Sequence, residues 1–342
     1  MGETYNMITT RFTELVGCTI PIQQAGMGAV SPPELAAAVS EAGGLGMLGM
    51  AHPGVNPASL SKQLDRLSAL TDKPFGVNFI IAPQLKRGQL DLRCVEIAAR
   101  AARVVEFFYG EPDRALVEIA HGGGALVCWQ VGSKSEAVAA AEAGCDFVIA
   151  QGVEAGGHVR GTVDTMTLLG QVIGSVDVPV LAAGGIGTGR AMAAALAAGA
   201  DGVRVGTRFV AATEAAAHPE YVAALIASQA EDTIYTTAFS RSFPDAPHRV
   251  LRSCVTAAEA FQGDTVGEMT TLDGTRMPAL RLSPFGVDKT ATGTIAAMAL
   301  FAGKSVDAVT QVEPAAEILR KLVDECDRAT PIGRNSAFHR AR

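Results

Sequence analysis

One histidine follows directly on a glycine pair where a short apolar run has broken off. Residues 147–161 read FVIAQGVEAGGHVRG, with the apolar segment at 147–150 and then Gly156, Gly157 and His158. The run suits a strand buried on both faces of a parallel sheet. The glycines allow a sharp turn, or let the backbone lie close against a ligand. An imidazole on such a loop, at the carboxyl end of a strand, ionises near neutrality and can act as a general acid or base. The plainer reading is a tight turn carrying a surface histidine.

Two further turns have the chemistry of an anion site. AAGGIG at 182–187 and VRVGTRF at 203–209 each put glycine between a strand end and a helix start. Backbone N–H groups at such turns, aimed by a helix N-terminus, bind phosphate. Gly184, Gly185 and Gly206 supply the backbone, and Thr207 adds a hydroxyl donor. Any strand-to-helix turn can contain glycine, so the argument rests on the pair of turns. Asn78 lies inside the apolar run VNFII at 77–81. Once buried, its amide needs partners. It offers a donor and an acceptor, as the edge of a heteroaromatic ring requires; a bond to a neighbouring strand is the alternative. Gln130 and Gln151 end two later strands and pose the same choice between a ring carbonyl and a loop. Gln151 is favoured because it adjoins the His158 loop.

The other histidines have plainer readings. His121 precedes three glycines at a helix C-terminus, where a cation meets the helix dipole. His218 precedes Pro219 at a helix start, and His52 is on a loop. His248 falls in the stretch after the eighth unit, without an assigned role, and His339 is in the tail. No HExxH, paired Cys/His set or carboxylate cluster occurs, so no metal is expected. No GxSxG elbow occurs either.

The elements that must position these residues repeat. Strands are expected at 21–27, 45–50, 75–80, 104–109, 125–131, 147–150, 179–183 and 202–205. Helices are expected between and after them, at 33–42 with Ser31 as N-cap, 57–70, 90–102, 113–120, 136–143 with Ser133 as cap, 165–176, 190–198 and 219–228. Strand-then-helix alternation implies parallel strands with crossover helices. This count and length predict an α/β fold of the (β/α)8, or TIM, barrel type. An open doubly wound sheet is the rival, with a glycine fingerprint near its start. Here glycines recur after the first, sixth, seventh and eighth strands, which suits a ring of loops around one mouth. The last two of these loops are a frequent phosphate site in barrels.

After the eighth unit the period is lost. Residues 232–287 are richer in Thr, Ser, Arg and Pro and are read as an inserted smaller subdomain, too long for a structureless loop. Helical patterns return at 293–301 and 314–326, and 329–342 reads as a loose tail. The expected division is a barrel over 1–231, the insertion over 232–287, C-terminal helices over 288–328 and the tail.

Composition sets the bounds. The chain has 342 residues, 48% hydrophobic and 18% charged, which is enough for a large core. A net charge of −7 and few aromatics, 5%, argue against a nucleic-acid partner. No polybasic patch or long apolar run suggests a membrane. Six scattered cysteines without a CxxC pair read as reduced thiols. The N-terminus shows no signal-peptide pattern, so a cytoplasmic protein is expected. Oligomeric state is not fixed, and a homodimer is left open.

Several segments together resemble the nitronate monooxygenase family, also called 2-nitropropane dioxygenases. They are PIQQAGM at 21–27, AGGLG at 42–46, TDKPFGVN at 71–78, QGVEAGGH at 151–158, AGGI at 183–186 and VGTRF at 205–209. The flavin-dependent enoyl-acyl-carrier-protein reductases share almost all of them, with a TMTL like that at 165–168. The resemblance implies FMN as cofactor. It implies that Gly184, Gly185, Gly206 and Thr207 hold its phosphate. It further implies that Asn78 and Gln151, with backbone at Gly26, Met27 and Gly156, line its ring and ribityl chain. His158 matches the catalytic histidine. Gln130 stands where some members carry a basic residue, and the insertion matches neither group well. The activity implied is oxidation of an alkyl nitronate, or a nitroalkane, by dioxygen to a carbonyl compound and nitrite. The alternatives are reduction of an enoyl thioester or other activated alkene by NAD(P)H through FMN, and ligand binding without turnover.

Overall fold

The computed structural model describes residues 8–81 and 90–330. The expected tail from residue 331 onward, with His339, lies outside the described residues. The strands in chain order are β1 (Ile22–Gln24), β2 (Gly46–Gly49), β3 (Phe75–Ile81), β4 (Val104–Tyr109), β5 (Leu126–Val131), β6 (Phe147–Gln151), β7 (Gly157–His158), β8 (Val180–Ala183) and β9 (Gly202–Val205). Eight of them, all but β7, form one parallel sheet in the order β1-β9-β8-β6-β5-β4-β3-β2. Leu45 closes the ring: its carbonyl accepts from Gln24 N–H at 3.0 Å, and its N–H donates to the Ile22 carbonyl at 2.9 Å. The fold is the expected TIM barrel.

Alternation along each strand decides what faces inward. In β4, Val105 and Phe107 pack outward against the helices, whereas Val104 and Glu106 point into the barrel. The lower interior is apolar, with Met47, Val104, Cys128, Phe147 and Leu181, and the N-terminal helix Arg11–Val16 seals it through Phe12. The Phe12 and Phe147 rings meet edge to face at 5.3 Å. The polar residues collect higher up, towards the carboxyl ends of the strands.

The surrounding helices begin where capping chemistry allows. Asn56 accepts from the N–H groups of Ala58 and Ser59, both at 3.0 Å, and Pro57 opens the helix Pro57–Leu70, which buries Leu60, Leu64 and Leu67. Ser133 caps Lys134–Ala143 as expected, through Glu136 N–H at 3.2 Å. Ser31 does not cap Pro33–Glu41; Pro32 occupies that place. The Ser31 hydroxyl oxygen instead accepts from Met27 N–H at 3.0 Å, which fixes the loop after β1.

Residues 232–287 hold four more strands, β10 (Thr233–Thr236), β11 (His248–Leu251), β12 (Thr265–Thr270) and β13 (Arg276–Leu280), and the helix Arg252–Ala260. Their most consequential contact is with the barrel. β11 pairs antiparallel with β7, putting His248 opposite His158 and Arg249 opposite Gly157. The loop carrying His158 is thus the edge of a small sheet. The helix expected at 293–301 is absent. Thr292–Gly293 forms β14 against β12, Ile295–Ala297 makes a single 3-10 turn, and Ala299 and Phe301 bridge to Gly286 and Val250. The stretch from Ala297 to Leu300 is buried throughout, so the apolar run was a continuous buried segment without a helical stripe. The helix Ala315–Ala329 packs on Gly189–Ala197 and Pro33–Glu41, so the chain does return to the barrel.

All six cysteines are free and buried. Among the described residues no helix is long and apolar enough to cross a membrane, and no group of His, Cys, Asp and Glu could hold a metal ion.

Candidate active site

The carboxyl ends of the strands surround a cavity of about 900 Å3. Every candidate residue named from the sequence lines it: Gly26, Met27 and Asn78 on one side, Gln130, Gln151, Gly156, Gly157 and His158 on another, and Gly184, Gly185, Gly206 and Thr207 on a third. This is where α/β folds of this kind place ligands.

Backbone crowding explains two of the glycines. Gly184 has φ +110°, and a Cβ there would lie 2.8 Å from the Thr165 hydroxyl oxygen. A Cβ on Gly26 would lie 2.5 Å from that of Asn78, so only glycine lets the loop after β1 pass over β3. Among the described residues, the turn and loop hydrogen bonds use none of the N–H groups of Gly185, Ile186, Gly206 and Thr207. Those groups remain donors at the ends of β8 and β9. Thr207 is tied in place, its hydroxyl oxygen accepting from Gly303 N–H at 3.0 Å.

The floor is a buried polar network that the sequence reading did not find. Asn78 Nδ2 donates to Glu106 Oε1 at 2.6 Å. Gln23 Nε2 donates to Glu106 Oε2 at 2.9 Å, and Arg204 forms an ion pair with the same oxygen. Glu106 is fully buried, and Arg204 nearly so. Asn78 therefore does bond a neighbouring strand through one end of its amide. Gln151 answers the choice between ring and loop: its Nε2 donates to the His158 carbonyl at 2.9 Å and braces the loop. Gln130 has no protein partner among the described residues and stands at the cavity wall.

The opposite wall is aromatic. The His158 ring lies 4.9 Å from Phe243, 5.6 Å from His248, 5.6 Å from Phe301 and 5.9 Å from Tyr109, between centroids. Burial, with a smaller contribution from His248, lowers the His158 pKa to about 3, so the ring is neutral at ordinary pH. Its Nε2 is buried without a hydrogen-bond partner, and so is the hydroxyl of Ser242 on the same cavity. Buried polar atoms in that condition are uncommon and mark a place where a ligand group or a water would be bonded. His248 differs. Its Nδ1 lies 2.9 Å from the Ala246 carbonyl and its Nε2 accepts from Phe239 N–H at 3.1 Å, which makes it a neutral Nδ1–H imidazole with both nitrogens engaged. Burial lowers its pKa too.

Tyr109 joins this wall through a backbone kink. Its φ of +83° is unusual for a non-glycine residue and brings the Phe108 and Tyr109 rings together at 5.4 Å. Arg160 holds the kink, bonding the Tyr109 carbonyl and pairing with Glu136 at 2.6 Å. Burial pushes the Tyr109 phenol up to about 12.

The remaining histidines lie in structural roles. His121 pairs with Asp146 at 2.8 Å, and His218 Nδ1 accepts from Glu220 N–H at 3.2 Å as the cap of Pro219–Ile226. His52 lines the outer cavity, with Nδ1 2.7 Å from the Pro53 carbonyl.

The nitronate monooxygenase family model matches residues 9–325. The chain belongs to the nitronate monooxygenase family. Like that family, it is an enzyme, a flavin-dependent oxidoreductase. Among curated relatives, one from Rhodococcus jostii is 37% identical over 260 residues, covering 76% of this chain and 70% of its own. It is named (3aS,4S,5R,7aS)-5-hydroxy-7a-methyl-1-oxo-octahydro-1H-indene-4-carboxyl-CoA dehydrogenase. Among solved structures, FabK from Thermotoga maritima is 32% identical with a TM-score of 0.77, over 94% of this chain and 97% of its own. Nitroalkane oxidase from Streptomyces ansochromogenes is 30% identical with a TM-score of 0.74, over 94% and 99%. Membership in the nitronate monooxygenase family thus spans the barrel and the strands that deliver Phe243 and His248.

Proposed function

We propose that this member of the family is an FMN-dependent enzyme that oxidises alkyl nitronates, and nitroalkanes by way of them, with dioxygen to a carbonyl compound and nitrite. The observation that carries the reading is the neutral His158 ring, set among aromatic side chains with Nε2 lacking a partner, in the same cavity as a glycine cradle.

The residues present fit the cofactor. The free N–H groups at 185, 186, 206 and 207 suit a phosphate, with Gly184 giving the close approach. Asn78 and Gln130, with backbone at Gly26, Met27, Gly156 and Gly157, would line the ring and ribityl chain, while Gln151 supports them from behind. FMN there supplies an acceptor for the substrate's electron pair and a route onward to dioxygen.

His158 handles the proton. When the substrate is a neutral nitroalkane, the α C–H bond breaks, Nε2 takes the proton and the electron pair moves onto the nitro group. Burial disfavours an imidazolium here, but the cation then faces the anion just formed, in a water-poor site where opposite charges attract strongly. A substrate arriving as the nitronate needs no proton transfer, and the neutral imidazole, in its Nε2–H tautomer, has only to donate to a nitro oxygen. The Ser242 hydroxyl offers a second donor to that group. Phe243, Phe301 and Tyr109 keep water from the ring.

We read residues 1–231 as the FMN barrel, 232–287 as an inserted subdomain that shapes substrate choice, and 288–328 as the segment packing back on the barrel. One observation favours a second reaction, NAD(P)H-dependent reduction of an enoyl thioester. The cavity, about 900 Å3, is at the upper end for ligand pockets and leaves room for a substrate larger than a small nitroalkane. The Rhodococcus relative, by its name, acts on a coenzyme A thioester. Nitrite release with dioxygen uptake, on adding a nitronate without nicotinamide, supports the first reading. Absence of nitrite, with NADPH oxidation that depends on an enoyl thioester, replaces it with the second.

A further inference from the structure

The hydrogen bonds that Glu106 accepts decide what the cavity floor can offer a ligand. Its Oε1 accepts from Asn78 Nδ2 at 2.6 Å; its Oε2 accepts from Gln23 Nε2 at 2.9 Å and from Arg204 Nη1. A carboxylate only accepts, whereas an amide has one donor end and one acceptor end. The donor end of Asn78 is thereby turned away from the cavity it lines, and Oδ1 is what remains. Arg204 also lines the cavity and has no other acceptor among the described residues, so its remaining N–H groups are donors.

We propose that Glu106 is a positioning residue that sets the floor as an acceptor, Asn78 Oδ1, beside a donor, Arg204, and so selects a ring edge carrying N–H next to carbonyl. This deepens the flavin reading and rests on it. The oxidised isoalloxazine has its only ring N–H at N3, between carbonyls, so the imide edge is the one that matches. Arginine lends a donor to the neighbouring carbonyl, and the carboxylate beneath balances its charge.

Glu106→Gln reverses the pattern. Its side-chain oxygen stays with Gln23 and Arg204, its NH2 faces Asn78, and Asn78 turns its oxygen inward and its NH2 to the cavity. The test is the ionisation of flavin N3 in the holoenzyme, followed by absorbance against pH. In the wild type N3 ionises at higher pH than in free FMN, because an acceptor holds its proton. In E106Q it ionises about one pH unit lower than in the wild type, the size expected for one charge-assisted hydrogen bond exchanged. Loss of the carboxylate charge alone would also lower it, so the same substitution is made in Asn78→Ala, where the shift shrinks to a small part of its size. A full shift persisting in that background overturns the proposal, and so does wild-type N3 ionising as in free FMN. If E106Q does not fold, wild type and N78A are titrated with FMN and N3-methyl-FMN. A preference of about tenfold for FMN in the wild type, lost in N78A, is expected, and equal preference in both overturns the proposal. A wild-type chain that binds no flavin sinks the cofactor reading itself, which is a distinct outcome.

Discussion

The two walls of the cavity treat charge in opposite ways. The barrel floor buries a full ion pair, Glu106 with Arg204, and meets it with Asn78 and Gln23. The aromatic wall holds two imidazoles and keeps both neutral, the buried His248 with its nitrogens engaged and the half-buried His158 with Nε2 bare. The floor is built from parallel strands whose inward positions are fixed by the barrel. The aromatic wall is assembled from Tyr109 at the end of β4, from β7, β11 and the Arg241–Phe243 segment, and from Phe301, which are distant in sequence. The difference separates two jobs. On the proposed reading, the fixed polar floor would hold a cofactor with little rearrangement, and the uncharged wall would keep a base free of its proton until substrate arrives.

The largest expected effect comes from removing that base. His158→Ala should keep its flavin and lose about 10²–10⁴-fold in kcat on a neutral nitroalkane, with a smaller loss on the preformed nitronate. Steady-state rates on both substrates, with flavin content by absorbance, check this; full activity on the nitroalkane removes His158 from the mechanism. Next is the floor. Arg204→Met leaves the Glu106 carboxylate buried and unpaired, which should cost about 3–5 kcal/mol in urea unfolding. An unchanged midpoint would mean that the pair contributes no net stability. Gly184→Ala forces an L-residue to φ +110° against Thr165. A loss of about 1–3 kcal/mol and weaker flavin retention are expected, read by thermal melting and ultrafiltration.

The wall should respond more quietly. Phe243→Ala admits water to His158 and raises its pKa from about 3 towards 6.5. An acid limb absent from the wild-type rate profile should then appear. Slowest to show, because it builds up over several pH units, is the pH dependence of stability. A histidine with a lowered folded pKa keeps its full contribution above 6.5 and loses it progressively as pH falls towards 3, where the unfolded chain takes a proton and the folded one does not. The slope of unfolding free energy across that window should fall by about one proton in His158→Phe.

The barrel was legible because strands buried on both faces read as unbroken apolar runs, and its turns showed their glycines. The residues named for the site meet at one cavity because most of them stand at or just beyond strand ends, which the fold gathers, while Asn78 reaches it from an inward position within β3. The aromatic wall was not legible. His248, Ser242 and Phe243 come from a segment without helical or strand period, and only antiparallel pairing with Gly157–His158 brings them in. Asn78 was seen as a two-ended amide, but its donor end is taken by Glu106. A signal for that partner was present. Glu106 in VVEFFY and Arg204 in GVRV are opposite charges, each alone in an apolar strand and each at an inward position. Such a pair has to meet or be excluded from the core. The helix expected at 293–301 failed because an apolar run without a polar face fits a buried extended segment equally well.

The most direct test of a flavin held between a polar floor and a dry histidine wall is the absorbance spectrum of the purified protein before and after anaerobic addition of an alkyl nitronate. The account predicts an oxidised flavin spectrum, FMN on release, that bleaches on mixing and returns with air. A protein without flavin, or a flavin that nitronate leaves oxidised while NADPH bleaches it, contradicts the account.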